Sequence, residues 1–350
     1  MPRIRQRGEE VRQFLLEHVT AHPTDIAKVA ASHFKVSRQA INKHLHILEQ
    51  EKVLKTSGQT RNKSYALCPI AKWTKEYEIN VDLAEDVVWR NDIVAALGTL
   101  PENVMDIWHF GFTEMFNNAI DHSGAAKIYV EIDKTAVISK IFIYDDGVGI
   151  FKKIQLALNL LDERHSVLEL HKGKLTTDPK NHTGEGIFFT SRMFDKFNIL
   201  SGGVYFSHEF ESDEDWILEN ERARRGTAVF LELNNHTSRT TKKVFDKFTT
   251  GDDYAFSKTI VPVKMAQYGD DKLISRSQAK RLLARVELFK IVMFDFKGVE
   301  GIGQAFADEI FRVFAKRHPE ITVQEFNANT AVKRMISRVK SPNDIGLEDP

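Results

Sequence analysis

Residues 137–146, Val-Ile-Ser-Lys-Ile-Phe-Ile-Tyr-Asp-Asp, read as a β-strand that ends on two aspartates, and Gly147 and Gly149 follow at once. Two glycines one residue apart beside carboxylates constrain a fold strongly, because glycine accepts backbone angles and close approaches that other residues do not. The pattern returns at Gly184 and Gly186, where Ile187-Phe188-Phe189 follow and a helix is expected to begin. Bare N–H groups at a helix start attract anions, and the stretch between the two turns is long, polar and basic. Upstream, Glu114, Asn118 and His122 are spaced i, i+4, i+8 in the run 110–123, so one helical face presents all three. Phe112, Met115 and Ala119 turn toward the core. A carboxylate and an amide carbonyl in line suit a Mg2+ that also holds phosphates, because Mg2+ takes oxygen ligands and keeps several waters.

In order along the chain, these segments resemble the N, G1 and G2 boxes of the GHKL (Bergerat) ATPase superfamily, which includes gyrase B, MutL, histidine kinases and anti-sigma-factor kinases. The resemblance implies an α/β-sandwich domain over 91–240 that binds ATP and Mg2+. It makes Asn118 the Mg2+ ligand and Glu114 the group that polarises an attacking water or hydroxyl. Asp145, in a D-x-G-x-G pattern with Gly147 and Gly149, would hydrogen-bond the adenine amino group. Gly184 and Gly186 would wrap the phosphates, and Thr227, in Arg225-Gly226-Thr227, would lie near the adenine. The segment between the glycine turns would be a lid, with Lys172, Lys174, Lys180 and His182 as candidates to meet phosphate charge. No dimerisation helix carrying a phosphoacceptor histidine precedes these boxes and no transducer domain of the gyrase kind follows, so histidine autophosphorylation is not expected.

The front end has a different pattern. Val11, Phe14, Leu15 and Val19 recur at helical spacing, and His22-Pro23 stops that helix. Thr24 and Ser37 are placed to cap two more helices. On the third, Ala40, Ile41, Leu45 and Leu48 form one stripe, while Arg38, Gln39, Asn42, Lys43 and His46 fall mostly on the other face. That division suits a recognition helix, whose polar side reaches base edges and phosphates. Residues 52–69 then read as a strand, a turn and a strand, with Lys55, Arg61 and Lys63 placing charge near a phosphate backbone. The segment 1–70 resembles a winged helix-turn-helix of the bacterial regulator type, which implies double-stranded DNA as a partner. Residues 71–90 read as a connector, partly helical. His33, His44 and His46 lack the further ligands of a metal site.

After a polar joint, assigned to a linker at 241–255, residues 256–345 alternate strands with helices. The order resembles a STAS-like domain of the DUF4325 type, related in fold to anti-sigma-factor antagonists, and implies a protein partner. Phosphorylated antagonists carry a serine at the start of one helix. Here Gly303-Gln304-Ala305 offers no hydroxyl, so an interaction module is expected in place of a phosphoacceptor.

The 350 residues suit two or three domains, and 42% hydrophobic against 28% charged residues suits buried cores. Basic and acidic residues cancel at 49 each, but residues 1–70 carry 12 Lys and Arg against 6 Asp and Glu. A basic front on a mildly acidic body points to nucleic acid at one end. Cys68 is the single cysteine, which excludes an intrachain disulfide and fits a cytoplasmic setting. No apolar run reaches the roughly 20 residues of a membrane-spanning helix, so no membrane partner is expected. The expectation is a multidomain chain: an all-α/winged-helix front, a GHKL nucleotide switch and a STAS-like module, with ATP·Mg2+ altering DNA or partner binding. Two other readings stay open at this point: an anti-sigma-type Ser/Thr protein kinase using Glu114 on a separate antagonist, and an ATPase that dimerises and resets a clamp by hydrolysis.

Overall fold

The computed structural model describes residues 6–59, 62–176, 183–210, 212, 216–249, 255–267 and 272–341. The chain is mixed α/β with several sheets and divides into two compact units. The first holds residues 1–146 and 228–238, and the second holds 147–227 and 239–350.

The first unit begins with helices α1 (Gln6–His18), α2 (Ile26–Phe34) and α3 (Arg38–Gln50). Their apolar positions converge on one core of Val11, Leu15, Val19, Ile26, Ala30, Ile41, Leu45 and Leu48, closed by Leu54. Lys35 in the left-handed region (φ 53°) ends α2, and Ser37 Oγ accepts from Ala40 N at 3.2 Å to start α3. Strands β1 (Leu54–Ser57) and β2 (Ser64–Leu67) form an antiparallel hairpin. It is tied down by Cys68 N donating to Val53 O and Tyr65 N donating to Pro23 O, both at 2.8 Å.

Residues 71–78, expected as connector, are instead strand β3 (Ala71–Glu78), antiparallel to β4 (Lys127–Lys134). Cross-strand pairs of opposite charge stabilise this polar edge, Lys72 with Glu131 at 3.0 Å and Glu76 with Lys127 at 2.6 Å. The helical part expected there is α4 (Glu85–Val88), a π turn over Trp89–Ile93, and α5 (Val94–Leu97). Asp92 in the π turn accepts from Lys75 Nζ and Tyr77 OH, fastening it to β3. Helix α6 (Glu102–His122) buries Val104, Ile107, Trp108, Phe112, Met115, Phe116 and Ala119, and Phe116 meets Tyr77 of β3 edge-on. Strand β5 (Ile138–Asp145) pairs antiparallel with β4, and the last part of β7, residues 228–234, lies beside β5.

The second unit holds α7 (Ile150–Leu158), α8 (Glu163–Lys172) and α9 (Gly186–Met193). Strand β6 (Lys196–Glu209) lies beside the earlier part of β7 (Trp216–Asn234). Helix α10 (Thr241–Asp246) leads to a parallel three-stranded sheet in the order β10-β9-β8. Its strands are β8 (Lys258–Pro262), β9 (Ile291–Asp295) and β10 (Thr322–Phe326), with α11 (Arg276–Leu283) between the first two. Between β9 and β10 run α12 (Gln304–Asp308), a π turn (Glu309–Phe314) and α13 (Ala315–Arg317). Helix α14 (Thr330–Lys340) follows, capped by Asn329 and seated through Val332, Ile336 and Val339. Strand-helix alternation with parallel pairing follows from crossover connections that each carry a helix.

The stretch 241–255, expected as a linker, is instead largely packed structure where it is described. Phe248 and Phe256 are buried and Phe245 partly so. Their rings join Phe188 and Phe189 of α9 and Phe289 before β9, with centroids 4.4–5.2 Å apart for the closest pairs. Polar neighbours in sequence hid a run of spaced phenylalanines that serves one core. Among the described residues, no helix is long and apolar enough to cross a membrane. From this packing, Phe248→Ala should lower the unfolding free energy by about 3–5 kcal/mol in urea denaturation. A true linker residue would change it by less than about 0.5 kcal/mol.

Candidate functional site

In the first unit, α6 carries Glu114 and Asn118 one turn apart, both half-buried, with His122 a further turn on. The Nδ2 atom of Asn118 is buried without a hydrogen-bond partner. An orphaned N–H donor is costly to bury, so an acceptor oxygen arriving there is favoured. Asp145 is the buried last residue of β5, at 4% exposure. The adjacent Asp146 serves the backbone, where its Oδ1 accepts from Ala126 N at 2.9 Å and Lys127 N at 3.2 Å and closes the chain entering β4. Two adjacent aspartates therefore divide between a buried strand end and a backbone clamp. A Mg2+ fits this donor set only with Asn118 as its protein ligand and with phosphate and water completing the shell, since no three His, Cys, Asp or Glu gather among the described residues.

In the second unit, Gly149 (φ 96°) leads into α7 at a point of close approach. A Cβ there would stand 2.7 Å from Ser201 Oγ and 3.3 Å from Gly226 O, so the position admits only glycine. Ser201 Oγ in turn donates to Gly226 O at 3.1 Å. One residue on, Thr227 Oγ1 accepts from Ile150 N at 3.0 Å and so satisfies a donor of the first turn of α7. The fold thus brings Gly149 and Thr227 together, although 77 residues separate Ile150 from Thr227. Ser201 was not singled out from sequence. Its signal was Ser201-Gly202-Gly203 inside a strand, since glycines there mark close backbone approach.

The second glycine turn is equally tight. Gly184 (φ 71°) accepts from Leu175 N at 3.0 Å, and a Cβ on it would fall 2.4 Å from the Leu175 carbonyl carbon. Gly186 opens α9, and its N-cap residue Glu185 makes no side-chain cap hydrogen bond. A helix start left without such a cap is where an anion can be received. Burial raises the Glu185 pKa and lowers that of Lys174, and each charge counteracts the other's shift.

The lysines expected to meet phosphate are engaged elsewhere in this unit. Lys172 is fully buried and its Nζ donates to Glu169 Oε1 at 2.7 Å, Ala284 O at 2.8 Å and Arg281 O at 3.0 Å. Burial pushes its pKa down, with the Glu169 carboxylate pulling the other way. Lys174 Nζ donates to Leu288 O at 2.9 Å and lies over the Phe289 and Phe256 rings. Lys180 and His182 fall outside the described residues.

On α3, Arg38, Gln39, Asn42, Lys43 and His46 are exposed while Ile41, Leu45 and Leu48 are buried, and Lys55 on β1 is exposed as well. Lys63 differs: its ammonium pairs with Glu49 at 3.5 Å and sits over the Tyr65 ring. Arg61 lies outside the described residues.

Residues 278–333, from α11 into α14, match the family model of a STAS-like domain of unknown function, DUF4325. The match lies inside the expected span 256–345, and the C-terminal part of the chain is STAS-like. No curated protein matches the sequence. The Thr227 hydroxyl gives the site a structural test. Thr227→Val keeps the shape and removes the acceptor for Ile150 N, which should cost about 1 kcal/mol, the worth of a helix cap, in the urea midpoint.

Proposed function

We propose that the protein is an ATP-binding, DNA-binding regulator in which a GHKL nucleotide switch controls DNA or partner binding. The observation that carries the reading is the Ile150–Thr227 hydrogen bond, which sets the Gly-Thr strand against the turn at Gly147 and Gly149. The start of α9 behind Gly184, whose N-cap residue makes no side-chain cap, and the orphaned Asn118 Nδ2, a donor for a phosphate oxygen, support it. In this reading Asp145 accepts from the adenine amino group and Asn118 holds Mg2+. The N–H groups after Gly184 and Gly186 receive phosphate oxygens. Glu114 holds the proton of a water or hydroxyl where transfer occurs. Bound Mg2+ supplies charge neutralisation on the phosphates. The kinase alternative gains nothing from the STAS-like domain itself, because α12 opens at Gln304 behind Gly303 with no hydroxyl to phosphorylate.

The DNA arm rests on the split face of α3 and on the basic balance of residues 1–70. Gln39 and Asn42 are the amides suited to reading bases, and Arg38, Lys43 and Lys55 the cations suited to phosphates. Nucleotide would act by favouring one arrangement of the chain over another, as any differential ligand does.

Two experiments test the reading. In calorimetry with ATP·Mg2+, Asp145→Asn and Asn118→Ala should each weaken binding by about 1–3 kcal/mol, the scale of an unpaired buried polar group. Wild-type affinity in both variants would remove the nucleotide assignment. In selection against genomic fragments, the full-length protein should bind duplex DNA with a steep loss on adding salt. There Gln39→Ala or Asn42→Ala should relax sequence preference, whereas Lys55→Ala should weaken all sites alike. Failure to bind any fragment at low salt would turn the front end into a protein-binding module.

A further inference from the structure

Helix α8 is charged yet sunk: every residue from His165 to Lys172 is buried. In its last turn the charged side chains of Glu169 and Lys172 reach one stretch of the STAS-like domain. His171 meets Arg192 of α9, and the Lys172 carbonyl accepts from Thr259 of β8. Lys172 Nζ has three protons and three acceptors, two of them the carbonyls of Arg281 and Ala284 at the end of α11. Glu169 spends its second oxygen on Arg285 Nη1 at 3.0 Å. Arg285 Nη2 donates to the carbonyl of Lys174, and Lys174 Nζ returns a bond to Leu288 O at 2.9 Å. Lys174 (φ 51°) and Arg285 (φ 60°) both hold left-handed backbone, a conformation kept by non-glycine residues only where surroundings over-determine it. From Lys174 the chain continues to Leu175, whose N–H donates to Gly184 O. An unbroken run of polar contacts therefore leads from the Gly184 turn to the end of α11.

Permanent packing does not call for this chemistry. A buried ion pair is often no more stabilising than apolar side chains of the same volume. On release Lys172, Glu169 and Arg285 regain hydration, so this polar part of the contact costs less to open than an apolar contact of the same size, although α8 also buries Val167, Leu168 and Leu170. While the contact stands, Lys172 and Lys174 are both occupied by carbonyl oxygens.

We infer that residues 281–288 of the STAS-like domain are a docking surface whose occupant is the α8–Leu175 segment of the same chain, and that this docking restrains phosphate binding at the Gly184 turn. The docking stands on the contacts alone; the phosphate ligand rests on the nucleotide reading given above. Undocking frees Lys172 and Lys174 to meet phosphate, so nucleotide and docking compete. The partner of this STAS-like surface is therefore intramolecular.

The test uses the full-length chain as wild type, Arg285→Ala and Lys172→Met. Amide hydrogen exchange is first read without nucleotide. Both variants should exchange across 163–176 at least about tenfold faster, the effect of losing a hydrogen bond to a charged group, with 38–50 and 102–122 unchanged. Unchanged exchange over 163–176 in both variants overturns the docking. ATP·Mg2+ titration is read second, and Arg285→Ala, which leaves both lysines in place, should bind about tenfold more tightly if docking competes with nucleotide. Faster exchange with equal or weaker ATP binding overturns the restraint. Faster exchange in a protein whose wild type binds no ATP supports the docking and overturns the nucleotide reading instead.

Discussion

The contact on which the second unit depends is the seating of Phe256 between Phe188, Phe189 and Phe289. Those rings come from a helix that opens at a glycine turn, from the residues just before β8, and from the approach to a STAS-like strand. Gly173 at the end of α8 belongs to the same place, because a Cβ on it would fall 2.7 Å from the Phe256 ring and 2.9 Å from that of Phe188. Interiors are close-packed, so a displacement at one of these elements is passed to the others and not absorbed. The STAS-like sheet, α9 and the end of α8 are thus parts of one core. A module joined by a flexible tether would communicate only through its effective concentration.

What the amino-acid pattern revealed and what it hid follow from range. The front helices were legible because their stripes at Val11, Leu15, Ile41 and Leu45 repeat within a few turns, and Ser37 capped α3 as its position suggested. The glycine turns were legible for a similar reason, since φ 96° at Gly149 and φ 71° at Gly184 are local demands. Three features depended on distant partners and were hidden. β3 is an edge strand whose charges are answered by residues far along the chain, Glu131 and Lys127 of β4 and Asp92 of the π turn. The phenylalanines of 245–256 look scattered until α9 supplies the other half of their cluster. Lys172 reads as a solvated or phosphate-seeking cation until carbonyls 109 and 112 residues away claim it.

Charge is likewise sorted by neighbours more than by composition. Asp145 and Asp146 are adjacent and chemically identical, yet one is a buried strand end and the other clamps the N–H groups of Ala126 and Lys127. Lys55 and Lys63 lie on opposite sides of one hairpin turn, but among the described residues only Lys63 is held by a carboxylate, Glu49. A basic count of residues 1–70 cannot separate these cases, and a phosphate backbone would meet them differently.

The start of α12 shows why a contact role suits the STAS-like domain better than a chemical one. Gly303 precedes the helix and its N–H donates to Leu273 O at 2.8 Å. A Cβ at Gly303 would stand 2.8 Å from Ile274 Cα, which is backbone and cannot step aside. A serine in that capping position would have to push the two segments apart before its hydroxyl met any phosphate. The next residue, Gln304, is already the first of the helix and brings an amide, a group that binds by hydrogen bonds and takes no phosphoryl group. Close approach of 273–274 therefore leaves no room for a side chain at Gly303. On the neighbouring helix, the end of α11 presents carbonyls of Arg281 and Ala284, which by their nature recruit cations. A domain built this way can answer a lysine on its own chain without any covalent step.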